Sequence, residues 1–397
     1  MLSGLKNKLS VFLILFGAYN IIEPILTGTT YDPNNIILLA VSIIAFGFLL
    51  ISKRVHGISI LGIFGILIFA FLFLFIDGGF SFSYYTKLVI FAISLLFYYV
   101  MLQSNENISE SNYKVLYLSV LLQLIFFVIE SFDSSAYMTM RSGTYLILCF
   151  DNKNSTAMHL LTLCCILILY AERIKHKEGK RKTIVPLLAF VVCLYFIVLT
   201  GSRSSLIGAL FIIPFYFLPK LKRRVSKLIM FCFLLSPIIF AAIYIALYNA
   251  GYGDLQLFGR TLFNGRQDLW IPVFEGDLFD WLFGMYSNFA RPDGVPFQLH
   301  NGIVDLIASY GLIVTTAFLF MIYKLLSALL ESCSDTNRMV VICICALVLQ
   351  SIGEAALFNG TRAVYICMIM MFIERKSNNG IERTNQGITS NRIKYSS

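Results

Sequence analysis

The sequence predicts an all-α, polytopic membrane protein with about twelve transmembrane helices and one sizeable extracytoplasmic loop. Of its 397 residues, 58% are hydrophobic and only 13% are charged, and the mean hydropathy is +0.79. That composition leaves too little polar material to cover a soluble globule of this size. The chain also contains apolar segments long enough to span a membrane, and Lys and Arg are unevenly distributed between these segments. We expect one membrane domain over residues 1–397.

The predicted helices are apolar windows of about 20 residues, enough to cross a hydrocarbon core of roughly 30 Å. The first run continues past Asn20 to Leu26 without a small-residue cleavage site, which favours a permanent span over a signal peptide. The last run is short, so either Arg362 is drawn below the outer surface or the twelfth helix is tilted in from Leu357. The predicted spans are 9–27, 35–52, 57–76, 84–102, 113–131, 155–172, 183–200, 205–219, 228–248, 301–327, 339–354 and 363–374.

The basic residues predict the orientation. Two clusters, Arg173 to Lys182 and Lys220 to Arg224, lie between apolar runs, and cationic loops of this kind face the cytoplasm. With both termini inside, 23 of the 31 Lys and Arg residues are cytoplasmic and eight lie on the outer face. We therefore expect a multi-pass protein of the cytoplasmic (inner) membrane with a polar cytoplasmic tail, 375–397. The net charge of +9 then indicates contact with anionic membrane lipid and not with nucleic acid.

The predicted extracytoplasmic loop covers residues 249–300. It holds both tryptophans of the chain, Trp270 and Trp281, with several phenylalanines between and around them. A flexible connector would be poor in aromatic residues, so we expect this loop to fold onto the membrane surface or over a cavity. The loop contains no cysteine, and the nine cysteines of the chain predict neither a disulfide framework nor a zinc site. No metal or other cofactor is expected.

The basic residues on the outer face predict an anion site. Arg203 lies in a donor-rich segment with Ser202 and Ser204, and a guanidinium fork matches phosphate oxygens in pairs. Arg266 would fall in the first turn of a short helix, where a cation opposes the helix dipole unless an anion binds there. Arg362 is a third candidate. A snorkelling arginine at the interface is the alternative interpretation for any one of them.

A candidate base and acid lie at the start of the predicted tenth helix. His300 precedes Asn301, and Asp305 lies one turn farther along. A neutral histidine accepts a proton near physiological pH, and a nearby carboxylate can orient it. A helix-capping histidine and an acid hydrogen-bonded to another helix are the alternatives. No glycine-rich nucleotide loop, HExxH or GxSxG motif is present.

Several of these segments resemble motifs of the O-antigen ligase and polymerase superfamily of bacterial polysaccharide assembly. They are TGSRSSLIGAL at 200–210, GRQDLW at 265–270, Phe283-Gly284, LHNGIVDLIASYGLI at 299–313 and, more weakly, Arg141-Ser-Gly143. The resemblance implies a metal-independent, inverting glycosyltransferase that takes glycan from an undecaprenyl diphosphate carrier outside the cytoplasmic membrane. It implies that Arg203 and Arg266 hold the diphosphate and that His300 is the general base or orients the acceptor.

The expected function is therefore a polysaccharide polymerase for O-antigen or capsule, whose acceptor is the hydroxyl of another carrier-linked repeat unit. An O-antigen ligase that transfers polymer to lipid A core is one alternative, and a transporter or flippase for a lipid-linked saccharide is another. A chain-length regulator is a candidate partner. The candidate glycan contacts are Trp270, Trp281, Asn301 and Arg141, and the tryptophans are equally suited to anchoring the loop at the interface.

Overall fold

The computed structural model describes residues 110–140, 143–150, 152–217, 223–253, 255–257, 260–261, 266–284, 299–331, 334–354 and 368–374, with residues 15, 18–19, 21–22 and 366. The predicted spans 35–52, 57–76 and 84–102, most of 9–27 and the polar tail lie outside the described residues, as do Arg141 and Arg362.

The described chain is mostly helical. Its helices are α1 (Glu110–Glu130), α2 (Lys153–Glu178), α3 (Ile184–Thr200), α4 (Arg203–Phe217), α5 (Arg223–Asn249), α6 (Arg266–Glu275), α7 (Leu278–Phe283), α8 (Gly302–Glu331) and α9 (Asp335–Gln350). Two antiparallel hairpins interrupt them: β1 (Tyr137–Met140) with β2 (Gly143–Leu146), and β3 (Gln256–Leu257) with β4 (Arg260–Thr261).

Among the described residues, five helical segments are long and apolar enough to cross a membrane, and they support the prediction of a membrane protein. The apolar segment of α2 is buried along its whole length, so α2 is the central helix of the described bundle. Other helices expose large apolar side chains, as Leu188 on α3 does with 61% of its surface, and a lipid environment covers such side chains. The five segments are Glu110–Glu130, Lys153–Lys175, Lys180–Thr200, Val225–Asn249 and Gly302–Glu331.

Helices α4 and α9 are in backbone contact. A Cβ atom added to Gly208 on α4 would lie 2.7 Å from the carbonyl oxygen of Ala346 on α9. Small residues permit this close approach between helices in membranes. The contact fixes the beginning of α4 relative to the end of α9, and both of those termini carry candidate site residues.

The span predicted over 301–327 is broken at Gly311. This residue has φ 77° and ψ 170°, values far from those of a helix, so α8 consists of two segments. A Cβ on Gly311 would lie 2.2 Å from the Leu282 carbonyl oxygen, and one on Gly284 would lie 3.0 Å from the Ser309 carbonyl oxygen. The short helix α7 therefore packs directly on the break. Two segments that resemble family motifs, Phe283-Gly284 and the run through Gly311, contact each other here.

Ionic contacts join the helices at the opposite end of the bundle. Arg173 on α2 lies 2.6 Å from Glu110 on α1 and 3.1 Å from Glu374. Lys227 on α5 lies 2.7 Å from Glu331 at the end of α8. The cations belong to the segments that the sequence assigns to the cytoplasmic side. Site candidates and basic anchors thus lie at opposite ends of the same helices.

Candidate active site

The link between α3 and α4 presents Arg203 and Ser204. Gly201 ends α3 with φ 65°, a left-handed conformation that suits glycine. Ser202 is buried, its N–H donates to Thr200 Oγ1 at 3.3 Å, and its hydroxyl bonds to that of Ser205 at 3.3 Å. Ser202 is therefore occupied in holding the turn. Arg203 is half-buried, and the described part of the chain offers it no carboxylate partner.

Ser204 and Arg266 meet at Gly353, which follows α9. A Cβ placed on Gly353 would lie 3.0 Å from Ser204 Oγ and 3.2 Å from Arg266 Nη1. Because Gly353 has no side chain, both polar groups can lie against the same point of the backbone. Two residues that the sequence assigns to diphosphate binding, one on α4 and one on α6, are thus brought together.

Glu354, the next residue, joins the cluster to His300. Its Oε1 lies 3.6 Å from Arg266 Nη2 and its Oε2 lies 3.4 Å from His300 Nδ1. Only 5% of Glu354 is exposed, whereas 36% of the His300 side chain is accessible. The acid is therefore an internal partner and the histidine faces open space. Glu354 is not among the residues predicted from the sequence, although a carboxylate at the outer end of the predicted span 339–354 is a functional signal in a membrane protein.

The backbone of His300 is held on both sides. Trp270 on α6 donates its indole N–H to the carbonyl oxygen of Leu299 at 2.6 Å. His300 itself has φ 50°, an uncommon conformation for a residue other than glycine, which is maintained only where the surroundings impose it. Trp270 is completely buried, so its position favours the anchoring role over glycan stacking.

Asn301 fixes the start of α8. Its Oδ1 accepts hydrogen bonds from the N–H groups of Ile303 and Val304 at 3.2 and 3.1 Å, as an N-cap does. Its Nδ2 donates to the Pro237 carbonyl oxygen on α5 at 2.9 Å. The side chain has no exposed surface. Asn301 thus positions His300 by joining α5 and α8, and it presents no atom to a glycan in this conformation.

Asp305 and Trp281 lie farther from these contacts. Asp305 is half-buried one turn inside α8, and its N–H donates to the Asn301 carbonyl oxygen at 2.9 Å. The carboxylate that faces His300 Nδ1 belongs to Glu354. Trp281 on α7 is half-buried and packs edge-on against Phe274, with ring centroids 5.7 Å apart. Because Trp281 is partly exposed, it could contact a glycan or anchor the loop at the membrane interface.

The β1–β2 hairpin flanks Arg141, and Cys149 follows the hairpin in the chain. β1 and β2 pair through Met140 and Gly143, and the chain then turns into α2. Burial raises the pKa of the Cys149 thiol to about 12, so the nucleophilic thiolate form is negligible at neutral pH. Cys149 is therefore a small, half-buried side chain next to the hairpin.

An apolar cavity begins three residues from His300. Ile303 on the first segment of α8 and Leu319 on the second both line it. A straight helix would separate these two residues by about 24 Å, so the break at Gly311 allows both to contribute to one cavity. The full lining is Leu234, Ile303, Leu319, Ile322, Leu325, Leu326, Ile344, Val348, Ile366 and Met370. Every side chain of this lining is apolar.

The site therefore combines cationic and hydroxyl donors, a histidine on a buried acid, and an adjacent apolar cavity. Comparison with protein-family models, curated proteins and solved structures gives no match for this chain.

Proposed function

We propose that this protein is a membrane glycosyltransferase, a polysaccharide polymerase that moves glycan from an undecaprenyl diphosphate carrier to a hydroxyl of another carrier-linked repeat unit. The observation that supports the proposal is the convergence of Ser204, Arg266 and His300 on the two-residue segment Gly353–Glu354. The proposed protein has twelve spans, both termini in the cytoplasm and its site on the outer face of the cytoplasmic membrane.

Arg203 and Arg266 are the proposed ligands of the diphosphate. As the glycosyl bond breaks, negative charge develops on the bridging oxygen of the leaving group, and guanidinium groups stabilise that charge. The 3.6 Å distance from Arg266 to Glu354 is longer than that of a strong charge-assisted hydrogen bond. Arg266 can therefore turn to a phosphate without losing a tight ion pair. Arg203 forms no ion pair with a carboxylate among the described residues, so phosphate binding would break none there. Arg362 remains a predicted third ligand.

His300 is the proposed general base. A proton on Nδ1 faces Glu354, which leaves the lone pair of Nε2 for the attacking sugar hydroxyl. After proton transfer the imidazolium is stabilised by the buried carboxylate beside it. The hydroxyl oxygen forms a bond to the anomeric carbon, the bond to the diphosphate oxygen breaks, and the carrier diphosphate departs. The apolar cavity next to Ile303 supports a donor with an isoprenoid chain.

The test is polymer formation in a strain that lacks the gene and is complemented with variants. We expect Arg203→Ala, Arg266→Ala and His300→Ala each to lower polymer yield by about 100-fold or more while the protein inserts normally. Arg181→Ala is the matched control, because Arg181 is an exposed arginine on the basic cluster between α2 and α3. Wild-type polymer length and yield in all three site variants would overturn the assignment.

The same strain separates the three functional classes. Loss of a polymerase leaves single carrier-linked units in the outer leaflet, whereas loss of a ligase leaves unattached polymer of normal length. Loss of a transporter leaves the units in the inner leaflet. Purified protein in liposomes, given carrier-linked repeat units, should then extend them without any other enzyme. Accumulation of free polymer in the deletion strain would identify the ligase instead.

A further inference from the structure

A second cleft lies far from the candidate active site. The space between its walls, part of it open to solvent, is about 410 Å³. It is formed by α4, α5, α8 and α9 near the beginning of α9, whereas Glu354 follows the other end of that helix. Sixteen residues of α9 separate the two ends by about 24 Å. The cleft is lined by Phe211, Phe215, Ser226, Ile229, Met230, Leu330, Arg338, Val341, Ile342 and Cys345.

Arg338 is the one cation among these lining residues. Its Nη2 donates to the Phe215 carbonyl oxygen at 3.3 Å. That carbonyl is available because the residue four positions later, Pro219, has no N–H to donate to it. Arg338 Nε is fully buried and has no hydrogen-bond partner in the part of the chain that the structure describes. A buried donor without a partner costs about 1–3 kcal/mol, so an acceptor from outside the chain would stabilise this arrangement.

The charge of Arg338 is also uncompensated within the described residues. Arg173 at the same end contacts two carboxylates, and Lys227 contacts Glu331. Arg338 has no such partner, and it lies near the beginning of α9, where the helix dipole is itself positive. The cleft therefore combines a positive electrostatic environment with apolar walls. An amphiphile with a negative head and an apolar chain is complementary to both.

We propose that this cleft binds one anionic phospholipid from the membrane leaflet at this end of the bundle. The phosphate accepts hydrogen bonds from Arg338, and an acyl chain lies along Phe211, Ile229 and Ile342. Basic pockets between transmembrane helices bind anionic lipid head groups by the same chemistry. The site is separate from glycosyl transfer, and its occupation stabilises the contact of α4 and α5 with α9.

Native mass spectrometry of the purified full-length protein, titrated with phosphatidylglycerol or phosphatidylcholine, tests the proposal. We expect one tightly retained phosphatidylglycerol in the wild type and at least about tenfold weaker retention of phosphatidylcholine. Arg338→Gln should weaken phosphatidylglycerol binding about tenfold, because an amide can still donate to Phe215 but carries no charge. Lys182→Ala removes the same formal charge from an exposed helical pair with Glu178 and should leave retention unchanged.

A second variant separates lipid binding from folding. Ile229→Trp fills the cleft and leaves the guanidinium in place, so it should also weaken retention about tenfold. Equal retention of phosphatidylglycerol by the wild type and Ile229→Trp would overturn the site, whatever Arg338→Gln does. Displacement of the lipid by millimolar inorganic phosphate would show a phosphate site without a lipid component and would overturn the proposal as well.

Discussion

His300 Nδ1 lies 3.4 Å from Glu354 Oε2, although 54 residues separate the two side chains in the sequence. The other oxygen of the same carboxylate faces Arg266 at 3.6 Å. One buried acid thus contacts both the proposed base and a proposed phosphate ligand. In the proposed reaction, the acceptor hydroxyl loses its proton on the His300 side of Glu354. The diphosphate departs on the Arg266 side of the same carboxylate.

Glu354→Gln should lower the rate of polymer formation by about 10²-fold or more, because the amide cannot stabilise the imidazolium that forms on His300. Asp305→Asn should have a much smaller effect, because Glu354 and not Asp305 faces Nδ1. The measurement is polymer extension by purified variants in liposomes. A larger loss in Asp305→Asn than in Glu354→Gln would contradict the assignment of the acid.

Gly353→Ala should lower activity about tenfold or more with little loss of stability. The added methyl group would lie 3.0 Å from Ser204 Oγ and 3.2 Å from Arg266 Nη1, so both polar groups must move apart. Gly253→Ala is the control, because its Cβ would have only an ordinary contact of 3.8 Å with Tyr248. Polymer yield and melting temperature are measured together. Normal yield in Gly353→Ala would show that the close approach of Ser204 and Arg266 is not required.

Gly311→Ala should destabilise the protein by about 2–3 kcal/mol, because alanine is strained at φ 77° and its methyl group would lie 2.2 Å from the Leu282 carbonyl oxygen. The free energy of unfolding in mixed micelles checks this expectation. A continuous helix through residue 311 would tolerate alanine, so an unchanged or higher stability would contradict the break in α8.

Trp270→Phe should cost about 1–3 kcal/mol of stability, because the buried carbonyl of Leu299 loses the indole N–H that donates to it. Activity should fall as well, since His300 follows Leu299 directly. Trp281→Phe keeps an aromatic ring against Phe274 and should leave stability nearly unchanged. If Trp270→Phe altered sugar affinity alone, with unfolding unaffected, the anchoring role would be wrong.

Hydrophobic length predicts the helices of the described region well. The expected spans 183–200 and 228–248 correspond to α3 and α5, because a membrane helix needs a continuous apolar run and little else. The break in the span predicted over 301–327 is different. Glycine is nearly neutral in hydropathy, so Gly311 does not interrupt the apolar run, and its positive φ accompanies the close approach of α7. Hydropathy carries no information about such a contact.

The candidate site was predictable where residue chemistry suffices. Arg266 and Ser204 are donors that suit phosphate, and the structure brings them to the same glycine. Glu354 could not be assigned to His300 from the sequence, because the contact depends on how the end of α9 meets the start of α8. Spacing along one helix favoured Asp305 instead. The two tryptophans also differ in burial, since Trp270 is completely buried and Trp281 is half-buried. The amino-acid composition of the loop could not predict this difference.

The backbone contact between Gly208 and Ala346 determines which side of the candidate site the helix packing holds in place. Ser204 lies one helical turn from Gly208 on α4, and Gly353–Glu354 follow the end of α9, the helix that carries Ala346. Arg266 belongs to α6. The candidate site therefore has one side held by the α4–α9 contact and another formed by Arg266 from a separate helix.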